Sequence, residues 1–185
     1  WKGKIAVMDP TIPGSGTNTA ALLHAQLGPD FVKRLYIDQQ PLITRDTRQL
    51  TDGLMRGTYP IVFNAEHEPV EKMRLEGLPL LPLYEMSDVR PGVTAGFGLV
   101  AMMNKAPHPN AAKVFVNWLA SKEGQEVYMR ALGIAPARND IDARSFLQPE
   151  MIPRAGVEYF DRFEWEFVLT TTEEVRQWMK ETLKR

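Results

Sequence analysis

The run KIAVMD (Lys4–Asp9) is apolar and ends on an acid before a proline. It is followed at once by PTIPGSGTNTA, a stretch of breakers and hydroxyls that gives way to Ala and Leu at helical spacing. A short buried strand, a glycine-rich loop and a helix, in that order, constrain the fold more than any other feature of the chain. The pattern then repeats. PLIT reads as a second strand, and RDTRQLTDGLMRG (Arg45–Gly57) as the helix after it, with Leu50 and Leu54 on one face and Gly57 at the stop. TYPIVFN reads as a third strand, and EHEPVEKMRLEG (Glu66–Gly77) as a helix with Pro69 near its start. Between Gly28, which ends the first helix, and PLIT, the segment DFVKRLYIDQ reads as a further short helix. Repeated strand–helix units of this kind predict an α/β domain with a largely parallel sheet.

After this region the regularity breaks. LPLLPLYE carries two prolines that no helix interior tolerates, so it is extended. GVTAGFGLVAMMN (Gly92–Asn104) is a long extended stretch with three glycines, a candidate crossover between lobes. Two consecutive helices follow, Pro109–Ser121 and Lys122–Leu132. The aromatics of AGVEYFDRFEWEFV are irregularly spaced, and TTEEVRQWMKETLKR closes the chain as a helix. Thr171 or Thr172 would cap it, with acids in its first turn and bases in its last. The expected organisation is an α/β core over 1–92, a crossover with returning helices over 93–133, and a C-terminal segment over 134–185.

Composition removes several classes of function. The chain has no cysteine, so disulfides, thiolate catalysis and cysteine metal sites are excluded. Its formal net charge is −1 and its bases form no run, so no nucleic-acid partner is expected. No apolar stretch reaches the roughly 18 to 20 residues a membrane helix needs. The opening WKGKIAVMD lacks an initiator Met and the charged and apolar regions of a signal peptide, and reads as a segment excised from a longer protein.

Catalytic motifs are missing too: there is no GxSxG, no Walker loop and no GxGxxG. His108 lies between two prolines at a helix start, where Pro109 suits the first helical position. Ala111 and Ala112 stand where a second metal ligand would be needed, so His108 reads as a helix-start residue with local hydrogen bonds. His24, inside an Ala/Leu helix, and His67, beside glutamates, have no ligand spacing either. GSGTNT (Gly14–Thr19) is more informative. A turn of this kind entering a helix presents backbone N–H groups and hydroxyls at the positive end of the helix dipole, which suits an anion. An ordinary Ser/Thr cap after a glycine-rich loop fits the same residues. In open α/β sheets ligands gather outside the carboxyl ends of the strands. Two more loops follow strands there: TRDTRQ, with Arg45 and Arg48, and FNAEHE, with Asn64 and Glu66. Paired arginines clamp a carboxylate or phosphate, or else solvate a helix start.

WKGKIAVMDP, RQLTDGLMRGTYPIVF and above all APHPNAAKVFVNWLASKEGQE, followed by PARNDID, resemble the extracellular solute-binding proteins of bacterial ABC importers. The ferric-iron-binding branch is the most similar, over roughly 1–142. The resemblance implies a two-lobed, hinged fold of the class II periplasmic-binding-protein type, with this chain carrying mainly the second lobe. It also implies a ligand held in the cleft between lobes, an ABC permease as partner, and a periplasmic or membrane-tethered extracellular location. It places Ser15, Gly16 and Thr17 at the turn that holds a synergistic anion in the ferric branch, and Asn18 beside them is a further ligand-binding candidate. That branch ligates iron with adjacent tyrosines after the later strand, where this chain has VFNAEHE. Ferric iron with a synergistic anion is thus one expected cargo. An oxyanion, a phosphonate or carboxylate, or an iron chelate suits Ser15, Arg45 and Arg48 as well or better.

The expected function is capture of a small solute for import. Rival expectations are a small metal-dependent or hydrolytic α/β enzyme, and the ligand-sensing module of a receptor. With most of the first lobe upstream, the helices of Pro109–Leu132 are expected to expose apolar surface from Phe115, Val116 and Leu119, or to bury it by self-association.

Overall fold

A computed structural model describes residues 1–83, 86–92 and 100–184 of the chain. The chain divides into two compact units, Trp1–Arg90 with Asp161–Arg185, and Pro91–Phe160.

The first unit is built on a three-stranded parallel sheet whose strands stand in the order Leu42–Thr44, Ile5–Met8, Ile61–Val62. The central strand β1 (Ile5–Met8) pairs Ala6 with Leu42 of β2 (Leu42–Thr44) and Ile5 with Ile61 of β3 (Ile61–Val62). Ile5, Ala6 and Val7 are buried, as the continuous apolar run requires of a parallel strand covered on both faces. TYPIVFN yields only two paired residues. Phe63 still donates its N–H to the Ala6 carbonyl at 3.0 Å, before Asn64 turns into the left-handed region (φ 65°) and ends the ladder.

Helix α1 (Ser15–Lys33) follows β1 and is broken at Gly28 (φ 79°, ψ 170°) and Pro29. The helix stop expected at Gly28 is therefore present as a kink, and DFVKRLYIDQ continues beyond it into a wide π turn, Arg34–Asp38. Its inner face buries Ala20, Ala21, Leu23 and Val32 and packs on α6 (Thr172–Leu183), which buries Val175 and Met179. At this helix pair His24 meets Trp178 edge-on with ring centroids 5.2 Å apart, so His24 serves packing. Helices α2 (Thr47–Met55) and α3 (His67–Leu75) complete the alternation, and Leu50 of α2 is fully buried.

The start of α6 differs from expectation. Neither Thr171 nor Thr172 caps it, because the helical path begins earlier and passes through a π turn, Phe167–Thr171. The Glu164 carboxylate accepts from the N–H groups of Glu166 and Phe167 and supplies the cap.

The second unit contains α4 (Pro109–Ala120) and α5 (Lys122–Leu132). Pro109 opens α4, and His108 precedes it without a side-chain capping bond; only its carbonyl accepts, from Ala112 at 3.1 Å. Ser121 caps α5 through Gly124 N–H at 3.1 Å, and Gly133 ends it in the left-handed region. Leu119 is buried in this unit and Val116 is half-buried, so the exposed apolar face is made instead by Val114 (70%) and Phe115 (53%). The expected crossover falls largely on residues 93–99, and part of the extended LPLLPLYE on 84–85, outside the described residues.

The tightest backbone approach in the first unit is at Gly16. A Cβ there would lie 2.4 Å from the Asp9 carbonyl oxygen and 2.8 Å from its carbon, both backbone atoms that cannot swing aside. Gly16→Ala is expected to destabilise the first unit by about 2–3 kcal/mol, in the range of overpacked cores. Urea unfolding followed by circular dichroism measures this; a loss below about 0.5 kcal/mol would show that the first turn of α1 can lift away.

Candidate functional site

The carboxyl ends of β1, β2 and β3 deliver three loops to one edge of the sheet, and hydrogen bonds lock each loop to its neighbour. Asp9 is the hub. As the residue after the central strand it donates its N–H to the Thr44 carbonyl at 2.8 Å and so extends the β1–β2 ladder by one rung. Its carboxylate Oδ1 accepts from Thr11 N at 2.9 Å and Thr11 Oγ1 at 2.6 Å. Oδ2 accepts from Arg45 Nε at 3.0 Å. Asp9 is 3% exposed, whereas the Arg45 side chain is 65% exposed.

Burial alone would raise the Asp9 pKa. The Thr11 hydroxyl and N–H and the Arg45 guanidinium outweigh that effect and hold the carboxyl below its ordinary range. Buried Tyr36 feels the opposite. Desolvation first, and the Asp9 charge second, push its phenol well above the usual value, so it stays neutral.

The first turn of α1 sits on this loop. Gly16 makes the close approach, and Thr17, also buried, donates its hydroxyl to the Pro10 carbonyl at 2.9 Å and reaches the Ile12 carbonyl as well. These two candidate residues therefore fasten the loop to the helix. Gly14 precedes α1 with no side chain to cap it. The first helical bond is Asn18 N to Gly14 O at 3.0 Å, so the N–H groups of Ser15, Gly16 and Thr17 have no partner inside the helix. Ser15 and Asn18 are exposed at this terminus. They and the uncapped N–H groups give it the character of an anion site.

At β2, Asp46 caps α2 by accepting from Arg48 N at 2.9 Å and Gln49 N at 3.4 Å. The Arg48 side chain is exposed, and the first turn of α2 holds no acid. At β3, Asn64 donates Nδ2 to Thr19 Oγ1 at 3.0 Å and ties the strand end to α1. Glu66 accepts from Thr47 Oγ1 at 2.7 Å, and its own N–H donates to Thr51 Oγ1 at 3.1 Å, which ties the third loop to α2. Both candidates thus have their side chains engaged in the scaffold. Asp9 and Thr11 were not among the candidates. A lone acid at a strand end carries no motif, and the available signal was its place before Pro10 and a threonine two residues on.

Among the described residues no group of three or more His, Asp or Glu side chains is disposed to hold a metal ion. No described helix is long and apolar enough to cross a membrane. The second unit has a groove lined by Val100, Val116, Leu119, Tyr128, Met129 and Leu132, with Gln125 among its neighbours and no charged side chain.

Replacing Asp9 tests the integrity of the sheet edge. Its ionised form is favoured in the folded chain, so its contribution is complete above the unfolded carboxylate range and is lost as pH falls through the lower folded value. Asp9→Asn is expected to lower stability by about 1–3 kcal/mol at neutral pH, through unmade buried hydrogen bonds. The gap from the parent should narrow below about pH 4, where free carboxylates protonate. Urea melts from pH 7 to 3 on both proteins check this; a constant gap would mean that the Asp9 charge is not what is being lost.

A family model for bacterial extracellular solute-binding proteins matches residues 1–131. No curated protein and no solved structure matches. The matched segment takes in all three strands, the loops at their carboxyl ends and α1 through α4. The chain belongs to the bacterial extracellular solute-binding proteins.

Proposed function

We propose that the chain is the substrate-binding component of an ABC importer and captures a small oxyanion-bearing solute, such as a phosphate, phosphonate or carboxylate. The solute would sit at the carboxyl edge of the β2-β1-β3 sheet. The observation that carries the reading is the pairing of an uncapped α1 terminus with Arg45, both held against Asp9. The Arg45–Asp9 pair is neutral as a unit, so charge for an anion comes from the N–H groups of Ser15, Gly16 and Thr17 and from Arg48. Arg45 adds directed donors that match two oxygens of one ligand group.

Binding, with no catalytic step, fits family membership. In this reading the hinged lobes close over the bound solute, and ligand contacts favour the closed form that a permease recognises. The periplasm, or the outer face of a single-membrane cell, is the corresponding location. Ferric iron would enter as a chelate whose anionic groups meet these donors. A bare ion would need a cluster of anionic ligands, which the described edge does not offer.

The test is a thermal-shift series on the chain with inorganic phosphate, sulfate, methylphosphonate, acetate, ferric citrate and ferric chloride. A ligand at 100-fold excess over its dissociation constant adds about 2.7 kcal/mol to the folded state. For a chain of this length that moves Tm by roughly 5–10 °C. The oxyanions are expected to shift Tm and ferric chloride alone is not, with the shift abolished in Arg45→Ala and reduced in Ser15→Ala. A shift with ferric chloride only, or one that survives Arg45→Ala, would overturn the assignment.

A further inference from the structure

We infer that Asp9 is a positioning residue for ligand recognition: it holds Arg45 by Nε and thereby presents the outer edge of the guanidinium to the bound oxyanion. The inference rests on the oxyanion reading above and adds to it a residue that touches no solute.

The geometry supports the role at both ends of the pair. Asp9 is immobilised by its backbone rung to Thr44 at 2.8 Å and by two Thr11 bonds at 2.9 and 2.6 Å on Oδ1. It therefore has little freedom to follow a moving partner. Its second oxygen meets Arg45 at Nε, the innermost nitrogen of the guanidinium, at 3.0 Å. A guanidinium held there keeps Nη1 and Nη2 as a planar pair of donors facing away from the carboxylate, the arrangement that accepts two oxygens of one ligand group. The contrast in burial points the same way, with Asp9 3% exposed and the Arg45 side chain 65% exposed. A free surface arginine of that exposure samples many rotamers, and immobilising it on binding lowers affinity. Asp9 meets that cost before the ligand arrives. Thr11 and buried Tyr36 also shape the Asp9 environment, and neither of them carries a charge.

The two oxygens of Asp9 have separate duties, which makes the role testable. Asparagine has one acceptor oxygen, so Asp9→Asn must release either Thr11 or Arg45. Arg45→Lys keeps the charge but removes both the Nε anchor and the planar donor pair.

The experiment has a ligand-free arm and a ligand arm, both on the full chain. In the first, exchange of the arginine Nε–H protons is followed by 15N NMR, with exposed Arg48, whose side chain has no partner among the described residues, as internal control. Arg45 Nε–H is expected to exchange at least about tenfold more slowly than Arg48 in the parent, and to lose that protection in Asp9→Asn. In the second, inorganic phosphate and methylphosphonate are titrated calorimetrically. Asp9→Asn and Arg45→Lys are each expected to weaken binding about tenfold. An Arg45 Nε–H that exchanges like Arg48 overturns the inference whatever the ligand does. Parent-like affinity in Asp9→Asn or Arg45→Lys, beside a clear loss in Arg45→Ala, overturns it while the oxyanion site stands. A parent chain that binds neither probe removes the oxyanion reading and the inference with it. If Asp9→Asn fails to fold, Arg45→Lys and the parent exchange rates still decide the matter.

Discussion

Everything at the carboxyl edge of the sheet depends on how closely the first turn of α1 approaches the end of β1. At Gly16 the two backbones come so near that a single added carbon would sit 2.4 Å from the Asp9 carbonyl oxygen. Only glycine permits this. The approach fixes the helix terminus against the central strand, and Thr17 secures it by bonding back to the loop carbonyls of Pro10 and Ile12. Once that contact exists, the free N–H groups of α1 and the carboxylate of Asp9 belong to one rigid piece of structure. The other two loops are then attached to that piece: β2 through Asp9–Thr44 and Asp9–Arg45, and β3 through Asn64–Thr19.

Asp9 illustrates how such a piece tolerates a buried charge. Desolvation opposes ionisation, yet two donors from Thr11 and one from Arg45 reverse the balance. The same charge, together with burial, keeps Tyr36 neutral, so the interior beside the site carries one ionised group with a partner. A carboxylate without Arg45 would repel the anions the edge is proposed to hold. A solitary Arg45 would attract them but would be loosely placed. The ion pair resolves this by giving up net charge and keeping direction. The attractive field is left to the helix terminus, where it needs no side chain at all.

Much of the framework was legible in the chain itself, because it is written in local chemistry. The run KIAVMD, the glycine turn after it and the Ala/Leu spacing beyond gave β1 and α1, and Gly28 marked the kink even though the helical path resumes past it. The paired helices after His108 were readable because their end signals are local: Pro109 opens α4 through its fixed backbone, the Ser121 hydroxyl caps α5, and Gly133 ends it in the left-handed region. What could not be read depends on partners distant in sequence. Glu66 and Asn64 stand out as polar candidates in FNAEHE, but their bonds to Thr47 and Thr19, far back in the chain, could not be read there. The cap of α6 was misplaced for a related reason: a π turn moves the helix start back to Glu164, and sequence periodicity does not register the extra residue. Leu119 was expected to be exposed, or covered by self-association, because most of the first lobe was read as lying upstream, but packing in the second unit buries it and leaves Val114 and Phe115 outside.

This division between scaffold and surface bears on how a family of binding proteins changes its ligands. Gly16, Thr17, Asn64 and Glu66 are engaged in holding the loops together, so substituting them would disturb the whole edge before it altered selectivity. Ser15, Asn18 and Arg48 lie exposed on the same edge with no side-chain bond to another loop among the described residues, so a substitution there leaves the framework in place. Exposed Arg45 belongs to both scaffold and surface through its bond to Asp9. Arg48 is the sharpest case. A cation in the first turn of α2 works against the helix dipole, which favours acids there, and the turn contains none. A residue that opposes the local preference of its own helix, beside an N-cap aspartate that already satisfies the backbone, contributes little to folding. Its charge adds to the attraction proposed here for an anion, and that is the physical reason for the proposal that counts it with the solute and not with the fold.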